Sequence, residues 1–337
     1  MFATPASAIV VSPPSEARSE FMSYYDQLSV NGKAMYDAME GADAETTTIT
    51  VDLPMELRVA EYDQKYAKAI MKKTFDAALT AMQLSSPLAY WGWDPSAVKW
   101  DMNTRMKGDI AVISSVTLQI SLSIYREAGE FPGVKKMLDD LNDAVGIFKT
   151  NSTMIRDKVR DINNYLVDMV TYDPNCMTID RSIYSHDAYG ALVDPDHHAV
   201  CDGYAKAFLL LCQKEGIKCV VVLGTGLATY ENHAWNYVKL DNNKWYAVDV
   251  TWNDRTNNAY FLLGGDEFFK THQQGVFLES SIMPYTFFSP PLSRTSYDYD
   301  QEWHIKYAWL FAAGVGAALI LILCRNKLSF IIHRRSK

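Results

Sequence analysis

Three residues far apart in the chain are of the types a thiol-based nucleophilic reaction needs: Cys201, His233 and Asp249. Cys201 precedes Gly203 and then an apolar helical face of Phe208, Leu211 and Cys212. That spacing places the thiol at a helix N-terminus, where the positive end of the macrodipole favours the thiolate, the nucleophilic form. His233 lies in NHAWNYVKL (232–240), whose alternation predicts a strand carrying Trp235 and Tyr237 on the same face. Asp249 lies in KWYAVDVTWND (244–254), an otherwise apolar run that reads as a second strand. A carboxylate there is costly unless it has a partner.

The turn between these two runs decides whether His233 can be that partner. Asp241, Asn242 and Asn243 form a three-residue loop if Asn243 takes the left-handed conformation that asparagine tolerates. Leu240 then faces Lys244, Trp235 faces Asp249, and His233 faces Thr251. His233 and Asp249 become diagonal neighbours on one face, within hydrogen-bonding reach. A two-residue loop would put them on opposite faces. In the resulting triad Cys201 attacks a carbonyl carbon. His233 takes the thiol proton and returns it to the leaving amine, and Asp249 holds the imidazole tautomer. The Cys201 backbone N–H is an oxyanion donor, and a second is sought between Ser185 and Tyr189. Tyr189, Tyr204 and Trp252 are the substrate-cleft candidates; Tyr204 and Trp252 either wall the cleft or pack beneath the triad.

Five segments in order, YLVDMVTYD (165–173), AYGALV (188–193), AVCDGYAKAF (199–208), NHAWNYV (232–238) and KWYAVDVTWND (244–254), resemble the transglutaminase-like superfamily. The resemblance covers residues 154–263. It implies an α+β papain-like core, in which a helix bearing the cysteine packs on an antiparallel sheet bearing the histidine and aspartate. It further implies acyl transfer at amide bonds, by peptide hydrolysis or by transfer of a glutamine acyl group to an amine.

The elements that must position these groups fill residues 151–285. A helix opens at 152–157 with Ile155, Val159, Ile162, Leu166 and Val170 on one stripe, and Tyr172, Asp173 and Pro174 end it. Cys212 and Cys219 read as core residues of the cysteine-bearing helix and the strand after it, and Gly224, Thr225 and Gly226 as a loop. Residues 21–150 read as a separate mixed α/β domain. Tyr25, Leu28, Met35, Tyr36 and Met39 recur at helical spacing, a threonine-rich strand ends at Pro54, and a helix covers 58–83. Trp91, Trp93 and Trp100 fall in a Gly- and Pro-containing stretch, either a stacking surface or packed aromatics. A long alternating strand carries Val116, Leu118, Ile120, Leu122 and Ile124.

With 337 residues, 48% hydrophobic and 21% charged, the chain is long enough for two domains and too apolar for disorder. A net charge of −8 argues against nucleic acid as a partner. Five scattered cysteines form neither a disulfide framework nor zinc-ligand spacing, and no third ligand joins His197 and His198. No metal or cofactor is therefore expected. The charge is uneven: Arg325, Lys327, Arg334, Arg335 and Lys337 make residues 325–337 a basic tail. Before it, residues 307–324 carry no charge, and a helix of that length spans about 27 Å, close to a bilayer's hydrocarbon thickness. Trp303, Tyr307 and Trp309 supply an interfacial aromatic belt.

The expected organisation is a signal-peptide remnant and linker (1–20, with Ala6, Ser7 and Ala8 as a cleavage site), the mixed domain (21–150) and the transglutaminase-like domain (151–285). A juxtamembrane stalk (286–304), a transmembrane helix (305–324) and a cytoplasmic tail (325–337) follow. That arrangement places a single-pass protein in the cell membrane with its catalytic domain outside, acting on protein or cell-wall peptide. The rival is a catalytically silent binding module at the cell surface.

Overall fold

The computed structural model describes residues 23–41, 48–60, 63–85, 99–119, 134–176, 184–228, 230–275 and 287–299. The chain divides into two units, Met1–Thr295 and Ser296–Lys337, and every element below lies in the first. Helix α1 (Val30–Glu40) starts where the Ser29 hydroxyl accepts a hydrogen bond from the Gly32 amide. Tyr25 and Leu28, which share its apolar period, sit in the turns before that cap. Strand β1 (Thr48–Ala60) passes through Pro54 rather than ending there. It is an edge of a three-stranded antiparallel sheet ordered β1-β3-β2, and its pairing slips between Asp52 and Leu57. A residue without an N–H is tolerated at such an irregular edge. Residues 58–60 are thereby held in strand, and helix α2 begins only later (Gln64–Ser85).

Strands β2 (Lys99–Lys107) and β3 (Ile110–Gln119) complete this sheet, with Val116 and Leu118 buried as their alternation requires. Met35 and Met39 of α1 and Met71, Phe75 and Met82 of α2 pack over it. The expected aromatic stretch around Trp91 and Trp93, and the continuation of β3 through Ile120, Leu122 and Ile124, lie outside the described residues.

The second half is built from helices α3 (Val134–Ile147), α4 (Ile155–Met169), α5 (Ala188–Leu192) and α6 (Cys201–Lys214), with a short parallel pair β4 (Thr171–Tyr172) and β5 (His198–Ala199) between them. Helix α4 starts after Met154 rather than at Ser152, whose hydroxyl binds Asp161 at 2.7 Å instead of capping. Its stripe of Val159, Ile162 and Leu166 is fully buried. The sheet beside α6 comprises β6 (Cys219–Gly226), β7 (Glu231–Lys239), β8 (Trp245–Val248), β9 (Phe261–Leu263) and β10 (His272–Gln274). Its order is β10-β6-β7-β8-β9, antiparallel throughout. Helices α7 (Val250–Thr256) and α8 (Gly265–Phe268) interrupt its edge. From Gly203 to Cys212 every residue of α6 is buried, the pattern of a helix covered on all sides.

One apolar cluster joins Met39, Met71 and Met82 to Leu209, Val221 and Trp235. The core therefore runs across residue 150, and α2 touches both β1 and β6. Residues 287–295, expected within a stalk, are also bound to this unit. Phe287 is buried with its ring 5.2 Å from that of Tyr24, and the Ser293 amide donates to the Trp245 carbonyl at 2.7 Å. Apolar Phe287 and Leu292 find cover there that a solvated stalk would deny them. Residues 1–20 and the expected span and tail, 305–337, lie outside the described residues. Among the described residues no helix is long and apolar enough to cross a membrane.

Candidate active site

The β7–β8 hairpin has the register that its turn chemistry requires. Asn243 has φ of 63°, and the Leu240 amide donates to the Lys244 carbonyl at 3.0 Å. Asn236 pairs with Val248 and Lys239 with Trp245, which extends to Trp235 opposite Asp249. The second strand is shorter than its apolar run, however. It stops at Val248, and Asp249 is the N-cap of α7. One carboxylate oxygen, Oδ1, accepts the Trp252 amide at 3.1 Å. The other, Oδ2, stands 2.7 Å from His233 Nε2. Capping a helix and holding a histidine are thus divided between the two oxygens.

Asp249 takes Nε2 of the His233 ring, and Cys201 lies close enough to the same imidazole to help raise its pKa. Cys201 is the first residue of α6, half-buried, in the turn whose backbone N–H groups lack intrahelical acceptors. Gly203 lets the Ser185–Asp187 segment lie against this turn, since a Cβ there would stand 2.5 Å from the Ser185 carbonyl oxygen. Burial pulls His233 towards the neutral form, but the Asp249 charge and hydrogen bond, then Cys201, outweigh it and push its pKa up to about 10. Asp249 is fully buried, which disfavours its charge. The charge of and hydrogen bond from His233, and the His272 hydrogen bond, more than offset this and lower its pKa.

Trp252 stacks on His233, ring centroids 5.0 Å apart and planes 27° from parallel. Gly226 makes room for it, because a Cβ there would lie 2.9 Å from the indole. Residues 224–226, read as a loop, are in fact the end of β6, paired with both β7 and β10. Tyr204 has no exposed surface. Its hydroxyl lies 2.9 Å from Asp254 Oδ2 and 3.2 Å from the Val170 carbonyl, so it packs beneath the site instead of lining a cleft. Tyr189 is buried against the Tyr184 ring, with its hydroxyl 3.5 Å from Asp140 of α3. The Ser185 hydroxyl, in the segment searched for a second oxyanion donor, is buried without a hydrogen-bond partner among the described residues.

Two residues at the site were not singled out by sequence reasoning. Tyr172 stands close enough to Cys201 that burial, then the Cys201 and Cys176 charges, raise its phenol pKa. Arg255 lies over its ring, 4.7 Å from the centroid. Its place in YLVDMVTYD was the available signal. The other is His272 of β10, whose Nε2 is 3.0 Å from the same Asp249 Oδ2. No local motif marks it, because β10 reaches the site only by pairing with β6 from beyond α8. His233, Asp249 and His272 offer three ligand atoms within 4.8 Å of one another and could hold a metal ion. Two N–H donors converging on one carboxylate oxygen account for the same arrangement without one. A cavity of about 820 Å³ lies elsewhere, lined by Tyr24, Leu84, Cys219, Trp245 and Leu292, and holds none of the triad.

A family model described as the transglutaminase-like superfamily matches residues 143–250, which include Cys201, His233 and Asp249. The chain carries a transglutaminase-like superfamily domain. Mouse (Mus musculus) kyphoscoliosis peptidase is 36% identical over 86 residues, covering 21% of this chain and 13% of that protein. The human (Homo sapiens) protein is 34% identical over the same length and shares. The match thus spans about an eighth of the length of these curated relatives. A crystal structure of a TGase aligns over 46% of each chain at 17% identity, with a TM-score of 0.29. The mixed α+β architecture around the triad is that of the transglutaminase-like domain, and the sheet β1-β3-β2 lies outside the matched residues.

Proposed function

We propose that the transglutaminase-like domain catalyses thiol-dependent acyl transfer at amide bonds. His233 Nδ1 takes the Cys201 proton, and the sulfur attacks the amide carbon as its C=O bond becomes an oxyanion. The Cys201 N–H, in the first turn of α6, is placed to donate to that oxygen. Collapse breaks the C–N bond, and the imidazolium gives its proton to the leaving amine. The resulting thioester is attacked by water or a second amine, with His233 as the base, and the thiol is regenerated. Asp249 keeps Nε2 protonated and stabilises the imidazolium throughout.

The observation that carries this reading is the 2.7 Å His233–Asp249 bond, with Cys201 at the first position of α6 beside the same imidazole. Of the two outcomes, the peptidase name of the curated relatives favours hydrolysis. The reading extends to a membrane-tethered protein acting outside the cell on protein or cell-wall peptide; that part rests on the sequence of residues 305–337. Incubation with a labelled amine and a peptide library, comparing wild type with Cys201→Ala, tests it. New peptide termini mean hydrolysis, incorporated label means transfer, and neither product above the Cys201→Ala level overturns the proposal in favour of a silent binding module.

A further inference from the structure

From the convergence of two histidines on one carboxylate oxygen we infer that His272 is a positioning residue for the triad: it holds Asp249 so that the carboxylate keeps His233 aimed at Cys201. The inference rests on the acyl-transfer reading of the site and adds a fourth member to it.

Asp249 Oδ2 lies 2.7 Å from His233 Nε2 and 3.0 Å from His272 Nε2. A carboxylate accepts and does not donate when ionised, so both ring nitrogens present their protons to it. His272 is 1% exposed, and its ring is fixed from every side. Phe268 stacks on it at 3.9 Å and 10°, Trp252 lies at 4.4 Å, and Thr271 Oγ1 is 2.9 Å from Nδ1. A buried imidazole held this firmly is a rigid donor. Its own burial, ahead of the Asp249 hydrogen bond, lowers its pKa, so it serves as a neutral N–H and adds no second positive charge beside His233.

The consequence for Asp249 is geometric and electrostatic. With His233, His272 and the Trp252 amide all donating, the carboxylate cannot turn about its side-chain axis without losing a bond. Its charge is also stabilised by a donor that does not itself change protonation during turnover. Without His272, one of three donors to a fully buried carboxylate is gone, and the anion becomes easier to protonate. The imidazolium–thiolate pair then loses its counter-charge at higher pH. The titratable groups facing the assembly from neighbouring elements are the neutral Tyr172 phenol of β4 beside Cys201, Tyr260 with its ring 5.6 Å from that of His272, and the Asp202, Lys206 and His186 cluster at the start of α6.

The test is the pH dependence of Cys201 alkylation by iodoacetamide in the full chain, for wild type, His272→Phe, His272→Gln and His233→Ala. His272→Phe keeps a ring for Phe268 and Trp252 but removes the donor. His272→Gln places an amide N–H near the position of Nε2. We expect the acid limb to move up by about one pH unit in His272→Phe, so that well down that limb alkylation is about tenfold slower than in wild type at the same pH. Glutamine should restore it to within about twofold. A residue that only packs would change the melting temperature without moving the limb, so a wild-type limb in His272→Phe overturns the inference. If His233→Ala moves the limb and His272→Phe does not, this inference alone fails. If neither moves it, the triad reading fails as well. Should His272→Phe not fold, ring ¹⁵N shifts of the wild-type protein give the second reading. His272 is expected neutral at pH 7 with its proton on Nε2, and an Nδ1–H tautomer overturns the inference.

Discussion

Trp252 covers His233, the two rings stacked at 5.0 Å and 27°. The indole covers one face of the imidazole, and the Trp252 backbone amide donates to the Asp249 oxygen that His233 does not bind. One residue thus orients both partners. Trp252→Ala is expected to lower turnover about tenfold, the size of a lost aromatic pair of about 1 kcal/mol with some added mobility of the histidine. Trp252→Phe should recover most of it. Gly226→Ala, whose Cβ would stand 2.9 Å from the indole, should resemble Trp252→Ala in turnover. Steady-state kinetics of the three variants check this, and wild-type turnover in Gly226→Ala would contradict it.

Tyr204 tests the distinction between lining a cleft and supporting the site. Its buried hydroxyl binds Asp254 at 2.9 Å, so Tyr204→Phe should cost about 1–2 kcal/mol in urea unfolding. The ratio of kcat/KM values across different peptides should stay unchanged. A shifted preference with unchanged stability would place Tyr204 against substrate instead.

The pKa shifts predict how stability depends on pH. His233 is raised to about 10 from the ordinary 6.5, so its contribution is complete below about pH 6.5 and fades as pH climbs towards 10. Asp249 is lowered from 3.8, so its contribution is present above about pH 4 and is lost in more acid solution. The pair therefore stabilises most between about pH 4 and 6.5. Urea midpoints at pH 6 and pH 9 should fall further for wild type than for His233→Ala. Equal falls would show that the pair carries no such linkage.

Much of the site was legible in the chain because it is local. Three turn residues set the β7–β8 register, and the register set the His233–Asp249 meeting. The role of Asp249 as a helix cap is hidden in the sequence, because Val248, Val250 and Trp252 continue a strand's alternation past it. His272 and the neighbours of Gly224 and Gly226 depend on β10, which joins β6 across some fifty residues of chain, a pairing without a local sequence signal. In the N-terminal half, Pro54 reads as a strand terminator in the sequence because the edge position and slipped pairing of β1 are properties of the sheet.

The membrane tether makes a separate prediction. Full-length protein expressed in cells should sediment with membranes, and a chain stopped after His304 should not. Co-sedimentation of both, or of neither, would remove the tether from the account.

The central claim is that Cys201, His233 and Asp249 act as one chemical unit. It is tested most directly, and without any substrate, by the rate of Cys201 alkylation from pH 5 to 9 in wild type and His233→Ala. The account predicts a wild-type rate that stays high well below pH 8, with the His233→Ala rate following an ordinary thiol with a midpoint near about 8.5. Superimposable curves would mean that the imidazole does nothing for the sulfur.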